Sequence, residues 1–503
     1  MPQADHAGVG GPVEPATTVF TSQDYRRYRR RLHRCLDVFA QLLDHFEFDE
    51  ERPMTGVELE ICLVDGDYQP AMRNHEVLPL VNESIFQEEL GRFNIEANIP
   101  PRLISGSGLQ EYETYLRTKL NEAEAKVGSI GVALVLIGIL PTITPEHTVL
   151  ANVSSNPRYR ILNDQIVGAR GDDVVIDIQG AVERLQTQTE SIMPESANTS
   201  VQFHLQVTPS TFAGYWNASQ AIAAIQVAVG ANSPFLFGRR LWDETRVAVF
   251  EQTTDTRPEE LKNQGVRPRV WFGERWITSI FDLFEENLRY YPSLLPIVYD
   301  EDPDDTLAAK RVPALQELRL HNGTVYRWNR PVYDISPEGI PHLRVENRVL
   351  SAGPTVVDML ANAAFYFGLI RTFAEAERPI WSQLPYEAAE RNFYLACYRG
   401  MSATLHWPRV GETAVGDLVL ERLLPAAYEG LDAFGVDPAA RDRLLGIIEQ
   451  RCLSGRNGAV WQSETVARLE DWGMDRTTAL REMLRRYMAH MHTNEPVHTW
   501  PIG

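Results

Sequence analysis

Thr55-Gly56-Val57-Glu58-Leu59-Glu60-Ile61-Cys62-Leu63-Val64-Asp65 decides the fold. Val57, Leu59 and Ile61 alternate with Glu58 and Glu60, the period-two pattern of a β-strand with one apolar and one polar face. The rest of the stretch is strongly apolar, so the strand reads as central and not as a solvated edge. Two carboxylates on the concave face of a central strand repel each other and lose hydration unless a cation neutralises them. Their Cα atoms lie roughly 6.6 Å apart at a rise of about 3.3 Å per residue. From that span two Glu side chains reach two divalent ions about 3.5–4 Å apart. The strand therefore predicts a metal site whose other ligands lie elsewhere in the chain.

Three further stretches alternate in the same way. Phe93–Ile99 puts Asn94, Glu96 and Asn98 on one face, and Pro100-Pro101 ends it. Ser200–Val207 sets Val201, Phe203, Leu205 and Val207 against Gln202, His204 and Gln206. Leu343–Val349 sets Arg344, Glu346 and Arg348 on one face. A half-solvated sheet mixes Lys, Thr, Ser and Glu; these faces hold carboxylate, imidazole and guanidinium and no Lys. Glu58, Glu60, Glu96, His204 and Glu346 are thus candidate metal ligands, and Arg344 and Arg348 candidate anion contacts. Mg²⁺ takes oxygen ligands, and one imidazole suits Mg²⁺ or Mn²⁺. Arginines beside Glu346 supply the charge that phosphoryl transfer develops on its equatorial oxygens. The chain has no P-loop, kinase-like glycine loop or HExxH, so ATP, if used, is held by the sheet and its metals.

With 503 residues, 44% of them hydrophobic, the chain is long enough for two or three domains or one large catalytic unit. A net charge of −20 argues against general nucleic-acid or anionic-membrane partners. Cys35, Cys62, Cys397 and Cys452 are scattered with no CxxC spacing, and the N-terminus lacks the plan of a signal peptide, so a cytoplasmic location is expected. The longest apolar run, Val132–Leu140, is about half of a membrane span.

Residues 1–20 read as a mobile tail. A helix capped by Ser22 is expected to about Phe46, with an arginine-rich solvated face. Further helices are expected near Pro79–Leu90, over Leu109–Val127 and over Ala218–Ala231, with a buried strand at Val132–Leu140. Glu251–Pro268 and Tyr299–Pro313 read as mobile lids. Leu315–Asn347 reads as two strands around a turn at Asn322-Gly323. From Val356 onward the pattern is helical, so strands are confined to the first 350 residues and the class is α+β.

Gly56-Val57-Glu58-Leu59-Glu60, Ile95-Glu96-Ala97-Asn98-Ile99-Pro100-Pro101, Ser200–Val207 and Asn322-Gly323-Thr324-Val325-Tyr326-Arg327 through Arg330 resemble, in this order, segments of the glutamate–cysteine ligase superfamily. The branch is the bacterial type 2, or carboxylate–amine ligase, group, and the likeness spans about residues 50–405. It implies a glutamine-synthetase-like half barrel, an antiparallel sheet curved around ATP and metals and flanked by helices. It implies that a carboxylate is activated as an acyl phosphate and joined to an amine, in a gamma-glutamyl-type bond. Carried onto this chain, Glu58, Glu60, Glu96, His204 and Glu346 hold Mg²⁺. Arg330, Arg344 and Arg348 are catalytic, the last two facing phosphates. Gln202, Gln206 and Thr324 bind the cofactor, and Thr324 and Arg330 help hold the substrate carboxylate. Residues 21–380 form the catalytic domain; 381–503 form a helical region packed on it, with homo-oligomerisation through its apolar stripes as an alternative use. A phosphotransferase on a related sheet and a non-catalytic nucleotide-binding protein are the competing functions.

Overall fold

The computed structural model describes residues 20–49 and 53–502. The tail expected over residues 1–20 lies, except for Phe20, outside them. Seven strands form one antiparallel sheet: β1 (Met54–Val64), β2 (Phe86–Glu88), β3 (Asn94–Leu103), β4 (Ala133–Val135), β5 (Ser200–Val207), β6 (Asn329–Ile335) and β7 (Pro341–Ser351). Their order is β6-β7-β5-β1-β3-β2, with β4 on the end of β1. The sheet curls into a half barrel flanked by helices, the α+β architecture expected from the sequence.

β1 is central, and the registers place its carboxylates. Glu60 stands opposite Glu96 on β3, and Glu58 opposite Gln202 on β5. On the next ladder Glu346 of β7 stands opposite His204, and Arg330 of β6 opposite Glu346. Residues directly across a ladder share a face, so four separate alternating patterns merge into one polar surface.

The other face makes the core. Val57, Leu59, Phe203, Leu205 and Val345 are fully buried there, at about 1.5–3 kcal/mol for each large side chain. They pack against α1 (Phe212–Gly230) and α2 (Val356–Ala374), helices whose residues are nearly all buried. Phe203 stacks on Tyr366, with centroids 6.4 Å apart. α2 is long and apolar enough to cross a membrane by length and composition, but most of it is enclosed by the sheet and the C-terminal helices. α2 meets the helix Leu424–Ala433 backbone to backbone, since a Cβ on Gly368 would overlap the Ala427 carbonyl and one on Gly430 the Gly368 carbonyl.

Several elements differ from expectation. The first helix is capped by Thr21, not Ser22, because Thr21 and Asp24 bond reciprocally to each other's backbone N–H. The helix expected near Pro79–Leu90 runs instead from Asn74 to Val81 and stops where Asn82 turns left-handed (φ 50°); Phe86–Glu88 then pairs with β3 as a strand. Only Ala133–Val135 of the Val132–Leu140 run joins the sheet. Gln316–Asn322 is helical and not a strand, which explains its imperfect alternation. The turn between β6 and β7 lies beyond Ile335 and not at Asn322-Gly323. A hairpin, Thr404–Trp407 with Gly411–Ala414, contradicts the confinement of strands to the first 350 residues; its turn is made by Arg409 and Gly411 at positive φ. The stretches read as lids hold short helices, Glu259–Asn263 and Pro303–Ala308. Arg31 and Arg34 of the first helix pair with Asp302, Asp304 and Glu317.

Candidate active site

The polar face carries two groups of ligand atoms. In the first, carboxylate oxygens of Glu60, Glu89 and Glu96 lie within 4.8 Å of one another. β1 and β3 supply Glu60 and Glu96 across one ladder rung, and Glu89 follows the last residue of β2. Each is fixed by its surroundings. Glu60 accepts from the Ser200 backbone N–H (2.7 Å) and from Gln202 Nε2 (3.0 Å). Glu96 accepts from Gln87 Nε2 and Asn98 Nδ2, both at 2.8 Å. Burial, then Glu58 and Glu60, pushes the Glu96 carboxyl up to about 7. Burial, with Glu96 and Glu60, pushes Glu89 well above the carboxylate range. Three such groups so close repel one another unless shared protons or a cation offset their charge.

The second group lies one strand over. His204 Nε2 is 3.1 Å from Glu58 Oε1. The two groups are in direct contact, and Nδ1 on the other side of the ring is buried without a hydrogen bond to any described residue. Burial acts to raise the Glu58 carboxyl, but contact with His204 and the charge of Arg348 together bring the net direction down. Glu346 is clamped by cations: Arg330 forks onto it (Nε–Oε2 3.0 Å, Nη2–Oε1 2.8 Å) and Arg348 pairs with it from the same strand. Burial opposes its ionisation, yet Arg330 and Arg348 hold it far below the usual carboxylate range. Arg348 also donates to Gln202, tying β7 to β5.

Not every predicted residue joins these groups. Arg344 faces Asp334 at 3.7 Å, and Arg319 pairs with the same Asp at 2.8 Å. Gln206 donates to Asp49 (2.9 Å). Both lie two residues along their strands from the His204–Glu346 rung, at the far end of the face. Thr324 is buried, its hydroxyl donating to the His321 carbonyl (2.8 Å).

Two carboxylates were missed. Glu89 fell inside a stretch read as helix; Gly91, between Leu90 and Arg92 and ahead of an alternating run, was the available hairpin signal. Glu195 sits in the short helix Met193–Ala197. Burial and the charge of Glu60 push it up to about 8, while Arg348 pulls it down. Nothing in its local pattern marks it.

The family profile of glutamate–cysteine ligase family 2 matches residues 54–465, from the first residue of β1 to the late helices. The chain belongs to glutamate–cysteine ligase family 2. For this family 2 member the fold is also similar to solved ligases. Glutamate–cysteine ligase from Francisella tularensis, solved in complex with AMP, superposes with a TM-score of 0.53 at 12% identity, covering 89% of this chain and 90% of that one. A bifunctional glutathione synthetase from Pasteurella multocida gives a TM-score of 0.52 at 12% identity, covering 93% of this chain and 55% of that one. At such identities the likeness is one of fold. Comparison with curated proteins gives no match.

Proposed function

We propose that this family 2 member is an ATP-dependent ligase that activates an amino-acid carboxylate as an acyl phosphate and joins it to an amine. Family membership supports the coarser statement, a carboxylate–amine ligase. The observation that carries the rest is the cluster of Glu60, Glu89 and Glu96 beside Glu58, His204 and Glu346 on one concave face.

The residues fit divalent cations. Three carboxylates with mutually close oxygens, two of them with strongly raised affinity for protons, form a site that a cation would relieve. The buried Nδ1 of His204, without a hydrogen bond to any described residue, is a second mark of a missing partner. Glu60, Glu89 and Glu96 would hold one Mg²⁺ and Glu58, His204 and Glu346 another. Bound there, Mg²⁺ supplies neutralising charge for ATP phosphates.

The chain's own residues do the rest. Arg330 and Arg348 present guanidinium charge at the Glu346 rung, where the equatorial oxygens of a transferring phosphoryl group gather negative charge. Glu346 and Gln202 orient those guanidiniums. Substrate carboxylate oxygen attacks the γ-phosphorus and ADP leaves; amine nitrogen then attacks the acyl carbon and phosphate leaves. No protein nucleophile takes part. The four free thiols accord with a reducing, cytoplasmic setting.

The test is a panel of amino-acid carboxylates and amines with ATP and Mg²⁺. ADP release that needs both partners, with a product weighing their sum less one water, is expected. ADP release needing no amine and yielding a stable phosphorylated product points to a phosphotransferase; no turnover with any pair overturns the proposal.

A further inference from the structure

Beside the arginine rung lies a second feature, built from aromatic rings around one carboxyl group. Glu251, on the helix Thr245–Thr253, accepts a hydrogen bond from the Tyr394 hydroxyl at 2.7 Å. The Trp328 indole N–H lies near the same carboxyl and favours its charged form. The Trp328 side chain is only 3% exposed, so this N–H is buried beside the carboxyl. Trp328 packs edge-on against Phe250 (5.9 Å between centroids) and tilted against Phe393 (5.5 Å); Tyr326 meets Phe250 at 5.0 Å. This group adjoins the rung: the Trp328 carbonyl accepts from the Arg348 backbone N–H at 2.9 Å, and Trp328 lies two residues before Arg330. The Tyr326 phenol lies within electrostatic range of Glu195 and Arg330.

Aromatic rings around a carboxylate are the chemistry that receives an organic ammonium ion. The sheet's other acidic groups differ, since they are crowded together and suited to a metal. Resting on the ligase function proposed above, we infer that Glu251, Trp328 and Tyr394 form the subsite for the amine substrate, binding its ammonium group and taking one proton from it. The ammonium gives that proton to a Glu251 carboxylate oxygen. The freed nitrogen lone pair forms the C–N bond at the acyl carbon as the C–O bond to phosphate breaks, and the second proton leaves with the phosphate. Burial pushes the Glu251 carboxyl up to about 8, against the pull of Tyr394 and Trp328 and with the help of Glu390 and Asp255, so this carboxylate is a stronger base than an exposed one.

The experiment compares Glu251→Gln and Tyr394→Phe with wild type in two assays. One is ligation of the amino-acid amine found by the panel. The other is hydroxamate formation with hydroxylamine, a nucleophile already neutral at pH 7. The expected result is a rise in KM for the amine of about tenfold or more in Glu251→Gln. Hydroxamate formation and the KM values for ATP and the carboxylate stay within about twofold, and Tyr394→Phe falls between. An unchanged amine KM, or equal losses in both assays, overturns the inference. A wild type that makes neither product overturns the ligase proposal instead, so the two failures are distinct.

Discussion

Nε2 of His204 on β5 stands 3.1 Å from Oε1 of Glu58 on β1, and Nδ1 of the same ring has no hydrogen bond to any described residue. A core histidine kept for stability would have its nitrogens satisfied. His204→Ala should therefore cost activity and little folding energy. Turnover should fall at least about 100-fold, with the melting temperature within a few degrees of wild type. Rate and melting measured on one sample decide it; a variant that melts early yet turns over would show a structural histidine.

Glu60, Glu89 and Glu96 repel one another without a cation. Glu60→Gln removes a charge from the group, so it should raise the melting temperature in EDTA, and both Glu60→Gln and Glu89→Gln should abolish Mg²⁺-dependent turnover. Calorimetry in EDTA and in Mg²⁺ reads both effects. Lower stability in EDTA, or near-normal turnover, would remove the metal role.

The same cluster sets a pH dependence. In the folded chain Glu96 is raised from 4.5 to about 7, and Glu89 and Glu60 are also raised. A raised carboxyl keeps in the folded state a proton that the unfolded chain has lost. Its stabilisation is therefore full below about 4.5 and disappears as pH rises through about 7. Metal-free protein should melt progressively lower across that window, and Glu96→Gln should flatten the trend. Mg²⁺, which competes with those protons, should raise the melting temperature more at about pH 8 than at about pH 5. A Mg²⁺ effect independent of pH would contradict this.

Arg348 reaches both Glu346 and Gln202. Arg348→Lys keeps the charge but loses the planar fork, and should slow the phosphoryl step by about 100-fold. With carboxyl-¹⁸O substrate, one labelled oxygen should appear in the released phosphate. Unlabelled phosphate, or AMP and pyrophosphate in place of ADP, would mean another route.

Arg451, on the helix Pro438–Ser454, is buried against Asp358 of α2 at 2.8 Å and also donates to Asn362. We propose that this pair makes the C-terminal helices fold as one with the catalytic unit. Arg451→Ala leaves Asp358 buried without its cation and should cost about 3–5 kcal/mol. Two separate melting transitions in the wild-type protein would show independent folding instead.

Period-two alternation depends only on neighbouring residues, because side chains on a strand point to opposite faces whatever lies across from them. For that reason Glu58, Glu60, Glu96, His204 and Glu346 could be placed on polar faces from sequence, and β1 could be read as central. What those faces meet is a matter of register between strands far apart in the chain. Only the ladders bring Glu346 to His204 and Arg330 to Glu346, and leave Arg344 with Asp334 at the other end. Glu89 and Glu195 lie just beyond a three-residue strand and in a single helical turn, too short for any period to register. Tertiary contact alone enlists them, since they join the site through carboxylates brought close in space and share no spacing with them along the chain. The Trp328–Glu251–Tyr394 group is of the same kind: three residues widely separated in sequence meet through tertiary contact alone.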